Sequence, residues 1–205
     1  GRGPRWILNG MAVLWLGVGA GERACAADVV YQTVDLAPVF SDASIGPNAV
    51  TGASMVLRGV KEFSGVPFKI DGLLPVTGME DVRRGELHPT LIANIPVRRR
   101  AAQLHLLHGV DGEDKDGVPF AKLILHYANG EERSIRLAHG VQARGWSGGK
   151  RQVSASVVDP ESRIVLSSAA EDSERGGGLR LYQTVIRNPL PEQEIVRVDF
   201  ISLFS

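Results

Sequence analysis

The sequence predicts an all-β protein, an antiparallel β-sandwich. Apolar residues alternate with a period of 2 rather than 3.6. Gly and Pro recur at short intervals and punctuate the alternating runs. One segment, 101–137, carries hairpin chemistry explicit enough to fix its own register.

In that segment Leu123, Leu125 and Tyr127 alternate with Lys122, Ile124 and His126. Asn129-Gly130 follows, and Ile135 and Leu137 then alternate with Ser134 and Arg136. A loop of Asn129-Gly130 alone sets Leu123 opposite Arg136 and Leu125 opposite Ser134, mixing core and solvent residues. A loop of Ala128-Asn129-Gly130, with Gly130 left-handed, sets Leu123 opposite Ile135 and Ala121 opposite Leu137. The other face then pairs Lys122 with Arg136 and His126 with Glu132. A one-residue slip would turn a whole strand inside out, so burial selects the three-residue loop. Arg133 falls opposite Leu125 near the turn, where its stem can cover apolar surface while its head stays wet. Lys122 beside Arg136 is an unfavourable pair, at small cost on an exposed face.

The other elements follow in order. Val29–Leu36 reads as a strand and Ser41–Ser54 as a loop. Phe63–Ile70 is a second strand, placed at an edge by Pro67. Leu73–Pro75 reads as a short strand and Glu80–Glu86 as one helical turn. Thr90–Val97 is a strand ending in a basic corner, Arg98-Arg99-Arg100. Ala102, Leu104 and Leu106 line one face of the next. An acidic loop, Gly109–Gly117, leads into Pro119–Tyr127 and Glu131–Leu137. Gln142–Arg151 is a Gly- and Arg-rich loop around Trp146, and Val153–Val158 and Arg163–Ser168 are weaker strands. Glu171–Gly178 is charged and glycine-rich, and Leu179–Ile186 and Ile195–Leu203 close the chain. The strands at the two ends, Val29–Leu36 and Ile195–Leu203, are expected to pair as in a jelly roll. A closed barrel is the alternative architecture.

The N-terminus reads as a leader. Arg2 and Arg5 precede the mostly apolar run Trp6–Ala20, Gly21-Glu22-Arg23 breaks it, and Ala24-Cys25-Ala26-Ala27 supplies small residues. This is the pattern of an export signal over residues 1–27, cleaved after Ala26 or Ala27, with 28–205 a single domain. The run of about 15 residues falls short of the ~20 that a spanning helix needs, so no stable membrane insertion is expected after processing. The expected location is periplasmic or extracellular. The whole chain has 23 basic and 23 acidic residues; the leader removes Arg2, Arg5, Arg23 and Glu22, leaving 20 against 22. A near-neutral domain lacks the electrostatic footprint of a nucleic-acid binder. The single cysteine lies in the leader, so the domain must hold itself together by its core. Roughly 180 residues suffice for one such core.

Few residues carry catalytic chemistry. His105 and His108 fall on opposite faces of one strand and cannot jointly hold a metal. His108 shares its face with Leu104 and Leu106, which suits a hydrogen-bonded histidine at the end of the core. His126 opposite Glu132 reads as an exposed cross-strand pair. There is no HExxH spacing, and no zinc site is expected. The loop Asp111–Gly117 lacks the EF-hand pattern; it is read as a solvated turn, with a structural calcium ion as the alternative and no other cofactor. Gly145-Trp146-Ser147-Gly148-Gly149 is not a nucleophile elbow. Trp146, the sole tryptophan after the leader, sits beside Arg144 in a glycine-rich loop. It can offer a flat apolar face to a sugar ring, or fold back to cap the core.

A wider pattern runs through these residues: Gly65-Val66-Pro67-Phe68-Lys69-Ile70, Ile95-Pro96-Val97, Leu104-His105-Leu106-Leu107-His108-Gly109, Leu125-His126-Tyr127-Ala128-Asn129-Gly130, Leu181-Tyr182, and Asn188-Pro189 through Phe200-Ile201-Ser202. It resembles a group of exported β-sandwich modules of planctomycete-type bacteria, similar to galactose-binding-like, carbohydrate-binding domains. Those modules often carry two tryptophans after the hairpin, whereas here Ser147 follows Trp146. The resemblance implies a galactose-binding-like fold and a loose ligand class. The expected function is non-catalytic binding of a glycan or other envelope component. In that reading Trp146 stacks on a sugar, and Arg144, His139 or His108 hydrogen-bonds its hydroxyls. The alternatives are a structural or protein-interaction module of the envelope and a hydrolase acting on polysaccharide.

Overall fold

The computed structural model describes residues 15–20, 30–39, 59–70, 74–78, 82, 88–110, 112–145, 156–167 and 180–204. The strands are β1 (Trp15–Ala20), β2 (Val30–Thr33), β3 (Gly59–Phe63), β4 (Val66–Ile70), β5 (Leu91–Arg100), β6 (Gln103–His108), β7 (Pro119–Tyr127), β8 (Glu132–Ala138), β9 (Ser162–Ser167), β10 (Arg180–Arg187) and β11 (Glu194–Ser202). One sheet runs β2-β1-β6-β10-β9, a second runs β5-β11-β7-β8, and β3-β4 forms a hairpin of its own. Every pairing between these strands is antiparallel. The protein is an all-β antiparallel sandwich, as its period-2 pattern predicts.

The core lies where the inner faces meet. β11 contributes Ile195, Val198 and Phe200, β7 contributes Ala121, Leu123 and Leu125, and β6 contributes Leu104 and Leu106, all buried. Phe200 stands opposite Ile92 of β5 on one side and Leu123 of β7 on the other. The β7–β8 hairpin has the register that burial demands: Leu123↔Ile135, Ala121↔Leu137, Lys122↔Arg136 and His126↔Glu132. Gly130 has φ 84°, and the Tyr127 N–H donates to the Glu131 carbonyl at 3.0 Å, closing the three-residue loop.

Several expectations need correction. Phe63–Ile70 is not one strand but the end of β3, a turn at Ser64-Gly65 and all of β4. Both turn residues have positive φ, 52° and 77°, the geometry of a two-residue hairpin. Arg98-Arg99-Arg100 is not a corner but the end of β5, which bulges at two places against β11; Asn94 and Arg98 take positive φ there. The end strands do not pair. β2 bonds β1, and both edges of β11 are already taken by β5 and β7. Leu74, Pro75 and Val76 are buried without strand pairing. The loop at 41–54, most of the turn at 80–86, and the segment 171–178 lie outside the described residues.

Trp15–Ala20, inside the segment read as an export signal, lies in the sheet between β2 and β6. Leu16 pairs with Leu106, and Gly19 pairs with both Gln103 and Tyr31. Asn188 locks another junction. It donates to the carbonyls of Ala101 (2.7 Å) and Leu190 (3.1 Å) and accepts from the Tyr127 hydroxyl (2.5 Å) and the Leu190 N–H (3.0 Å). A buried amide with all these bonds made ties β5–β6, β7 and the β10–β11 loop together.

Candidate functional site

Two regions compete for the site. The first is the sandwich end carrying the residues singled out from sequence. Arg144 donates from Nη1 and Nη2 to the two carboxylate oxygens of Asp116, each at 2.9 Å, to Glu113 Oε1 at 3.1 Å, and from Nε to the Ser156 carbonyl at 2.8 Å. These bonds raise the Arg144 pKa, and the same guanidinium hydrogen bond, the largest cause, lowers that of Asp116. Glu113 Oε2 also accepts the Gly145 N–H at 2.6 Å. The acidic loop is therefore bolted to the segment that follows β8 by a fork–fork ion pair. Among the described residues no group of three or more His, Cys, Asp or Glu could hold a metal ion.

His108 and His139 flank Phe120 inside the core, with ring centroids 6.0 and 5.3 Å from it. Both histidines are fully buried. Burial lowers the His139 pKa and pushes that of His108 down to about 3. The tautomer of His108 follows from its hydrogen-bond chain. Asp159 Oδ2 can only accept, so the Ser162 hydroxyl donates to it (3.2 Å); Ser162 then accepts from Thr184 (2.8 Å), and Thr184 accepts from His108 Nε2–H (2.8 Å). Nδ1 is bare and has no hydrogen-bond partner. Trp146 lies outside the described residues. The structure thus brings Arg144 to the acidic loop and the two histidines to a shared aromatic cluster, with four hydrogen bonds from the Arg144 guanidinium already made.

The loop clamp has a sharp steric test. A Cβ on Gly145 would collide with the backbone carbonyl of Gly112, which cannot move without dragging Glu113 off Arg144. Gly145→Ala is expected to cost about 1–3 kcal/mol, the range for overpacking a filled site. Thermal unfolding measures it; an unchanged midpoint would mean the loop is not held this way.

The second region is the outer face of the four-stranded sheet, where the register arranges three rows. The first is Arg197, His126 and Glu132; the second Asp199, Ile124 and Ser134; the third Ile201, Lys122 and Arg136. In the first row His126 Nε2 donates to Asp199 Oδ2 at 2.8 Å, and Nδ1 meets Glu132 Oε1 at 2.8 Å and Arg197 Nη2 at 3.2 Å. Those last two partners exclude each other, since Nδ1 needs a proton for Glu132 and a lone pair for Arg197. The expected His126–Glu132 cross-strand pair forms, with Glu132 exposed, but His126 itself is buried, because β11 brings Asp199 and Arg197 to its other side.

The third row borders an open depression of about 400 Å³ lined by Asp114, Val118, Lys122, Arg136, Leu203 and Phe204, among others. Phe204 is 39% exposed and has φ 57°, a conformation that bulky residues rarely take. Its support is specific. The Phe204 N–H donates to Ser202 Oγ (3.3 Å), the Ser202 hydroxyl donates to the Thr77 carbonyl (2.5 Å), and the Leu203 N–H donates to the Phe120 carbonyl (3.0 Å). The Lys122–Arg136 pair was legible from the hairpin register. Phe204 and Asp199 were not, because the pairing of β11 that places them is non-local.

Comparison with known proteins gives no match: no family model, no curated protein and no solved structure matches the chain.

Proposed function

We propose that the chain is an exported, non-catalytic β-sandwich, akin to galactose-binding-like modules, that binds a carbohydrate or other envelope ligand on the outer face of its four-stranded sheet. The supporting observation is the depression in which an exposed aromatic, held in a left-handed backbone conformation, borders three charged side chains, Asp114, Lys122 and Arg136. A sugar ring has an apolar C–H face and a rim of hydroxyls, and such a wall matches both. Of the carboxylates here, Glu132 and Asp199 both hold His126, which leaves Asp114 as the single carboxylate in the depression and favours binding over hydrolysis by a carboxylate pair. The Arg144 end is the weaker platform, since the Arg144 guanidinium serves the acidic loop.

A glycan array with wild type, Phe204→Ala and Trp146→Ala tests the reading. Wild type is expected to retain a class of glycan, and Phe204→Ala to bind it about tenfold more weakly, the scale of part of one aromatic contact. No glycan binding by wild type, or equal binding by Phe204→Ala, overturns it. Loss through Trp146→Ala alone would move the site to the 142–151 loop.

A further inference from the structure

We infer that the depression beside β7 and β8 selects a carboxylated sugar, a uronic-acid unit of an acidic glycan. The inference rests on the binding reading above and adds the charge class of the ligand.

Its basis is an unbalanced charge. Lys122 and Arg136 stand directly opposite each other in the β7–β8 ladder. Like charges directly opposite one another are destabilising, by a small amount on an exposed face. Two rows away on the same face His126 is flanked by both Asp199 and Glu132, and Arg197 reaches the same imidazole. Among the described residues neither Lys122 nor Arg136 has an ion-pair partner. Asp114 lines the same depression, so the wall carries two cations and one carboxylate and is left net positive. Its Oδ1 already accepts the Lys115 N–H at 2.6 Å.

The geometry of the groups narrows the anion. The Arg136 guanidinium is a planar fork whose paired N–H groups match a planar carboxylate. Lys122 adds a point charge at the next strand. Val118, Leu203 and Phe204 supply an apolar wall, which a bare inorganic anion does not need and the C–H face of a pyranose does. Asp114 remains an acceptor for sugar hydroxyls.

The test is titration calorimetry on the protein with trimers of galacturonate, glucuronate and mannuronate. The same trimers as methyl esters, a neutral galactose trimer and a sulfated galactose trimer serve as comparators. At least one uronate trimer is expected to bind about tenfold more tightly than its own methyl ester, the size of one charge-assisted hydrogen bond. Added salt weakens that binding, and Arg136→Gln and Lys122→Gln each abolish the discrimination while near-ultraviolet dichroism stays native. If esters and neutral trimers bind as tightly as the acids, the charge inference falls and the glycan reading stands. If the sulfated trimer binds and no uronate does, the carboxylate assignment falls. If no sugar binds at all, both fall together.

Discussion

Replacing Phe200 with alanine is expected to cost about 3–5 kcal/mol, the range for deleting a fully buried aromatic side chain. Phe200 is fully buried on a strand bonded on both edges, facing Ile92 and Leu123 at the centre of the four-stranded sheet. The loss comes from lost transfer of the ring out of water plus a void that the flanking strands cannot close, because their ladders fix their spacing. Whole domains are stable by only about 5–15 kcal/mol, so this is a large fraction of the total. The chain has one cysteine and so no internal disulfide to limit the damage. Urea unfolding should show a lower midpoint at unchanged slope. Phe204→Ala, on an exposed residue, should change the unfolding free energy by no more than about 0.5 kcal/mol. A Phe200→Ala loss below about 1 kcal/mol would mean that the sheets do not meet at this strand.

The second large effect is acid sensitivity. His108 has a pKa of about 3 in the folded chain against an ordinary value of 6.5, because burial disfavours its charged form. Between pH 6.5 and 3 the unfolded chain therefore takes up a proton that the folded chain refuses. Stability is fully present above that window and falls as pH drops through it, by up to about 1.4 kcal/mol per pH unit for this one group. His105 and His139 are also held below their ordinary values, chiefly by burial, and act in the same direction. Protonating His108 would place a proton on Nδ1, which has no acceptor, among the rings of Phe120 and Tyr182. His108→Gln keeps an N–H donor for Thr184 and removes the titration. Unfolding free energies at pH 7, 6, 5 and 4 should fall less steeply in His108→Gln than in wild type, by the equivalent of one proton. Parallel curves would show that His108 is not the group responsible.

Much of the fold is readable wherever one hairpin or one strand suffices. The β7–β8 register follows from asking which slip buries Leu123, Leu125 and Leu137 together. His108 could be placed on the Leu104–Leu106 face by parity alone. The hairpin at Ser64-Gly65 was also readable in principle, since Ser-Gly between Phe63 and Val66 is turn chemistry; the alternation across it hid the break. The bulges at Asn94 and Arg98 were not readable. They lie in the pairing of β5 with β11, its partner about a hundred residues away.

The candidate site divides along the same line. The opposed Lys122 and Arg136 follow from the hairpin, but their lack of a carboxylate partner depends on where β11 sends Asp199, which is to His126. From sequence Arg144 is a free donor, because nothing local shows that Asp116 and Glu113 fold back onto it. The presentation of Phe204 requires Ser202 and Thr77 to meet across 125 residues.

Side-chain alternation and turn residues, acting over a few positions, determined by themselves that this chain is built from antiparallel strands and, in the β7–β8 hairpin, which face is apolar. Which strands become neighbours, and so which charges are neutralised and which stay bare, was decided only in three dimensions. Local sterics act between adjacent residues, whereas ion pairs and burial depend on distances that the chain does not set until its two sheets close on one another.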